Sequence, residues 1–106
     1  MNKTGIKKDI LFLGGMILGQ LIKEAEKLEH WTVEGETLIR SFSFDDFLAG
    51  IDFVQNVSAY SEGAQHHPYI IIDHTTITIK WTTVDKGKLT QKDLDAARAC
   101  DQFYSH

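Results

Sequence analysis

LIRSFSFDDFLAGIDFV, residues 38–54, changes period halfway along. In its first half Leu38, Arg40, Phe42 and Phe44 alternate with Ile39, Ser41 and Ser43, the period of a strand with one buried face. Ser43 and Asp46 then form an S-x-x-D helix start, in which a hydroxyl and a carboxylate satisfy free amides. Phe47, Ile51, Val54 and Val57 or Ser58 follow with helical spacing to near Gly63. A strand is thus delivered directly into a helix of about 18 residues.

Working outward, HWTVEGETLIRSFSF reads as a hairpin, with Trp31 and Val33 on its first strand and Glu34-Gly35 as the turn. Arg40 lies in register with the aromatic residues, which places it at the margin of the sheet or opposite a carboxylate. Upstream, Ile10, Leu13, Ile17, Leu21 and Leu28 recur on one helical face, and a first helix is expected from Met16 to Leu28. Residues 1–15 form an N-terminal arm, and residues 16–106 the single domain. Downstream, YIIID and TTITIKWTT are rich in β-branched residues, joined by Asp73-His74-Thr75. Ile77, Ile79 and Trp81 share one face of the second strand. After the loop VDKGKLT, Thr90 and Asp93 open a last helix through Leu94, Ala97, Cys100 or Asp101, and Tyr104. The order α-β-β-α-β-β-α predicts an α+β fold, a four-stranded antiparallel sheet with three helices on one face. Its edge strands need cover or a partner.

Composition narrows the function classes. Eleven basic and 15 acidic residues give a formal charge of −4, without a basic run, which argues against direct nucleic-acid contact. The apolar segment from Ile10 to Ile22 is shorter than the roughly 20 residues of a membrane span, so no membrane role is expected. The one cysteine, Cys100, has no internal disulfide partner and reads as a buried apolar group; a cytoplasmic location is the default. Glycine-rich phosphate loops, G-x-S-x-G and H-E-x-x-H are all absent from the sequence.

The chemistry gathers in EGAQHHPYIIIDH, residues 62–74, which holds three of the five histidines and the only proline. His66 and His67 sit where a helix gives way to a strand, beside a backbone fixed by Pro68. Imidazole exchanges protons near neutrality, and Glu62, four residues before His66, lies on the same helix face. An acid–base pocket is one reading, and a pair of surface histidines capping a helix end is another. A metal site drawing on His66, His67, His74 and Asp73 is a third, but neighbouring histidines seldom reach one ion together. The phenylalanines Phe42, Phe44, Phe47 and Phe53, and both tryptophans, are assigned to packing.

E-x-x-x-H-H-P, placed between an F-x-F-x-D-F helix entry and a second hairpin, resembles the pterin-4a-carbinolamine dehydratases. The resemblance runs from about residue 20 to 104 and includes Trp31, LIRSFSFDDFLAGIDFV, EGAQHHP, TITIKWTT and GKLTQKDLDAA. It implies the same element order and a homodimer or homotetramer. It also implies removal of water from 4a-hydroxytetrahydropterin to give quinonoid dihydropterin, with no cofactor or metal. By resemblance His66 and His67 contact the pterin and relay protons, with Pro68 at the substrate and Glu62 orienting the imidazoles. Asp93 stands at the family's acidic position near the pocket. Partners implied are a pterin, an aromatic amino-acid hydroxylase, or a transcription factor bound through the oligomer surface. Two positions depart from the pattern. His74 replaces an aromatic residue six positions after the proline, and Val84 replaces a third pocket histidine, which predicts a slower enzyme.

Overall fold

The computed structural model describes residues 20–83 and 88–105. The N-terminal arm, the start of the first helix and Val84 therefore lie outside the described residues. Helix α1 covers residues 20–26 within them and gives way to turns before residue 31. Then come β1 (Thr32–Glu34), β2 (Thr37–Ser43), α2 (Phe47–Ala64), β3 (Tyr69–Asp73), β4 (Thr76–Trp81) and α3 (Gln91–Tyr104). The sheet is antiparallel throughout in the order β1-β2-β4-β3, so the two hairpins join through their second strands. The expected α+β architecture and element order hold.

Both hairpin turns have two residues and begin with a positive φ. The first is Gly35-Glu36, one residue later than expected, because Glu34 remains paired with Thr37. Gly35 takes φ +58 without a Cβ to resist it. The second is His74-Thr75, with His74 at φ 54 and Asp73 still paired with Thr76.

The core forms between the inward face of β2 and β4 and the helices. Leu38, Phe42, Ile77, Ile79 and Trp81 are buried there with Phe53, Val57, Leu94, Ala97 and Cys100. Burial holds the Cys100 thiol protonated, its pKa pushed up to about 12. Arg40, in register among the apolar side chains, meets a carboxylate: its guanidinium donates to Asp101 Oδ1 at 2.6 Å and lies 4.3 Å from the Phe42 ring centroid. Trp31 Nε1 donates to the same oxygen at 2.9 Å, so Asp101 ties α3 to the first hairpin.

Helix α2 differs from its sequence reading in cap and phase. Asp46 is the N-cap, its carboxylate accepting from the Ala49 amide at 2.8 Å, and Ser43 still belongs to β2. The buried residues are Gly50, Phe53, Val57 and Ser61. Of the expected stripe Phe47, Ile51, Val54 and Val57 or Ser58, only Val57 is buried, Ile51 and Val54 are partly buried, and Phe47 and Ser58 are exposed. Phe47 is 46% exposed. Gly50 sets the phase, since a Cβ there would stand 3.3 Å from Ile77, closer than ordinary contact. The helix comes closest to the sheet at this glycine.

Candidate active site at the α2–β3 junction

Helix α2 ends in a Schellman motif: the His66 amide donates to Ser61 O at 3.0 Å and the Gln65 amide to Glu62 O at 3.3 Å. Gln65 takes the left-handed conformation this requires, φ 52, and its own side chain donates to Glu62 O at 2.8 Å. Pro68 follows three residues later and keeps His67 extended. A left-handed residue followed by extended chain sends the two imidazoles in different directions.

His66 turns inward and is 8% exposed. Its ring stacks on Trp81 with centroids 5.1 Å apart and 21° between planes. Nε2 lies 2.6 Å from Asp93 Oδ1, and Asp93 is fully buried. The other carboxylate oxygen accepts from Thr83 Oγ1 and from the Thr90 amide, each at 2.9 Å. The Thr90 bond is one limb of the capping box that opens α3, as its sequence suggested. With Oδ2 occupied by two donors, Asp93 is an acceptor at Oδ1, and His66 donates from Nε2.

His67 turns outward. Its side chain is 57% exposed, and Nε2 lies 2.5 Å from Glu62 Oε2. The expected pairing of Glu62 with His66 on one helix face does not occur, because Gln65 ends the helix between them. Glu62 orients His67 alone. His67 and Pro68 line a pocket of about 270 Å³ with Tyr69, Lys80, Thr37 and Thr82. Tyr69 and Lys80 are register partners on the sheet face opposite the helices, and the Lys80 ammonium lies 5.8 Å from the Tyr69 ring centroid. Thr82 is held by a bond from Oγ1 to Glu36 O at 2.7 Å.

Of the residues singled out in the sequence, His67 and Pro68 line the pocket, and Glu62 braces His67. His66 and Asp93 form a buried pair behind it. His74 sits at the far end of β3, five residues beyond Tyr69 and so roughly 16 Å along the strand. At that distance it neither shares a metal with His66 and His67 nor reaches the pocket that His67 lines. Among the described residues no group of three or more His, Cys, Asp or Glu side chains could hold a metal ion. Thr83, Thr37, Tyr69, Lys80 and Thr82 were missed in the sequence. Strand alternation outward from Pro68 would have found Tyr69, and its register with β4 would have found Lys80. A wider depression of about 610 Å³ near α1 and α3 contains no imidazole, and its Arg98 lies 3.7 Å from Glu24.

The sequence profile of the pterin 4 alpha carbinolamine dehydratases matches residues 18–103. A Cyanothece protein provisionally named a pterin-4-alpha-carbinolamine dehydratase is 40% identical over 92 residues, 81% of this chain and 95% of that one. A similarly named protein of Mycobacteroides abscessus is 42% identical over 74 residues, 70% and 79% of the two chains. The fold is similar to that of a transcriptional coactivator/pterin dehydratase from Brucella melitensis, with TM-score 0.77 and 23% identity over 81% of this chain and 94% of that one. The chain belongs to the pterin 4 alpha carbinolamine dehydratase family.

Proposed function

We propose that this protein is a 4a-hydroxytetrahydrobiopterin dehydratase, removing water from pterin-4a-carbinolamine to give quinonoid dihydropterin in tetrahydrobiopterin recycling. The observation that carries the reading is the Glu62-braced His67 at a pocket wall, with a second imidazole anchored on a buried carboxylate one residue away. In the reaction the C4a–O bond breaks, the hydroxyl departs as water with an added proton, and a ring nitrogen loses a proton. Both transfers suit imidazole near neutrality. Pro68 and the Tyr69 ring offer apolar surface to a planar heterocycle, with Thr37, Thr82 and Lys80 as polar contacts around it. Asp93 acts through His66 in this reading, since it has no exposed surface of its own.

The exposed side chains of β3 support self-association. Tyr69, Ile71 and Ile72 are 69%, 39% and 46% exposed on an edge strand. A cytoplasmic homodimer or homotetramer joined at this edge fits the sequence and the sheet order. Sedimentation should give a multiple of 12.0 kDa for the native chain and a smaller particle for Ile71→Lys. An unchanged mass in the variant would place the interface elsewhere.

The activity is tested by following the absorbance of freshly generated 4a-hydroxytetrahydropterin with and without the protein, with Val84→His in parallel. Acceleration by the native chain is expected, and the variant should be faster, by up to roughly 10²-fold if a third imidazole joins the relay. Activity in the variant alone would favour the second reading, a non-catalytic oligomer that binds another protein. Phe47 and Leu48, exposed at the start of α2, are the observation on its side. Inactivity in both would overturn the enzymatic reading.

A further inference from the structure

We infer that Thr83 is a positioning residue for His66, fixing its tautomer through the buried Asp93 carboxylate; the inference rests on the dehydratase reading above. Thr83 is itself buried, two residues past the end of β4, and its hydroxyl meets two groups. Oγ1 lies 2.9 Å from Asp93 Oδ2 and 2.7 Å from Thr90 Oγ1. A hydroxyl has one proton, so donation to Asp93 obliges Thr83 to accept from Thr90. The alternative donation from Thr90 directly to Asp93 spans 3.4 Å, a much poorer bond. The result is a directed chain: Thr90 O–H to Thr83, Thr83 O–H to Asp93 Oδ2, and His66 Nε2–H to Asp93 Oδ1. Each bond polarises the next.

Three consequences follow for His66. With the Thr90 amide also on Oδ2, the carboxylate is clamped in rotation, and Oδ1 alone faces the imidazole. The proton of a neutral His66 is then held on Nε2. The lone pair falls on Nδ1, which has no partner among the described residues. The ring plane is set by the stack on Trp81, so the carboxylate contributes tautomer and direction rather than mere support. Capping α3 needs only the Thr90 amide on Oδ2. The limbs of the capping box come from Thr90 and Asp93 themselves, and the Thr83 hydroxyl supplies neither.

The test uses the full-length protein with ¹⁵N-labelled histidine, comparing native chain, Thr83→Val and Thr83→Ser. At a pH where the imidazole is neutral, native His66 should show a single Nε2–H tautomer in its ring ¹⁵N shifts. Thr83→Val, which keeps the shape and removes the donor, should give shifts averaged between tautomers and a kcat lower by roughly tenfold with KM little changed. Thr83→Ser should restore both. Circular dichroism and thermal melts show whether the valine variant folds; if it does not, Thr83→Ala, which also lacks the hydroxyl donor to Asp93, takes its place and should give the same averaged shifts. A single unchanged tautomer in folded Thr83→Val, or a native His66 protonated on Nδ1, overturns the inference. A tautomer shift in a chain that does not dehydrate pterins would leave the positioning intact and sink the dehydratase reading instead.

Discussion

Replacing His67 by alanine is expected to slow pterin dehydration by roughly 10²- to 10⁴-fold, the range a general acid–base group contributes. The change should cost little stability. His67 is mostly exposed and its partner Glu62 is more so, with side-chain exposures of 57% and 75%. Pairs of that kind contribute about 0–1 kcal/mol. His66→Ala should behave oppositely in the melt, since it strips a ring from Trp81 and strands a buried carboxylate. Ultraviolet absorbance of the reaction and thermal unfolding of the two variants measure both effects. A His67→Ala protein with native rate would remove His67 from the mechanism, however well it lines the pocket.

Asp93→Ala is expected to produce the largest loss of stability of any substitution at the site. It deletes the capping limb to the Thr90 amide, worth about 0.5–2 kcal/mol. It also leaves His66 Nε2 and Thr83 Oγ1 without their partner in the interior, at about 1–3 kcal/mol for each unsatisfied group. A total of about 3 kcal/mol or more, and a melting temperature lower by at least roughly 12 °C, is the expected outcome. Asp93→Asn provides the contrast. Its amide oxygen can still accept from Thr90 and Thr83, while its NH₂ would face His66 and force Nε2 to accept. The asparagine variant should melt much closer to the native protein and yet lose most activity. Equal melting temperatures for native and Asp93→Ala proteins would contradict the buried network itself.

Much of the fold is written locally. Alternation in LIRSFSF and TITIKW, the β-branched YIIID and the Thr90–Asp93 cap specify strands and helix starts that hold within a residue or two. They do so because each depends on neighbours within about four positions. Pro68 and the adjacent histidines likewise marked, from sequence, the α2–β3 junction beside which the candidate pocket lies. The phase of α2 was not legible, because Phe47, Ile51 and Val54 make as good an apolar stripe as Gly50, Phe53 and Val57. Only contact with Ile77 makes the glycine the point of approach.

The pairing of charges was hidden for a related reason. Glu62 and His66 share a helix face only if the helix continues, and one left-handed residue, Gln65, hands the carboxylate to His67. Sequence by itself determined which elements form, their order, and the residue types at the α2–β3 junction. Tertiary structure alone decided that His66 meets Asp93, 27 positions away, and that Arg40 meets Asp101, 61 positions away. Local backbone preferences reach about one helical turn, whereas a buried charge is satisfied by whatever the packing of strand and helix brings within hydrogen-bond distance.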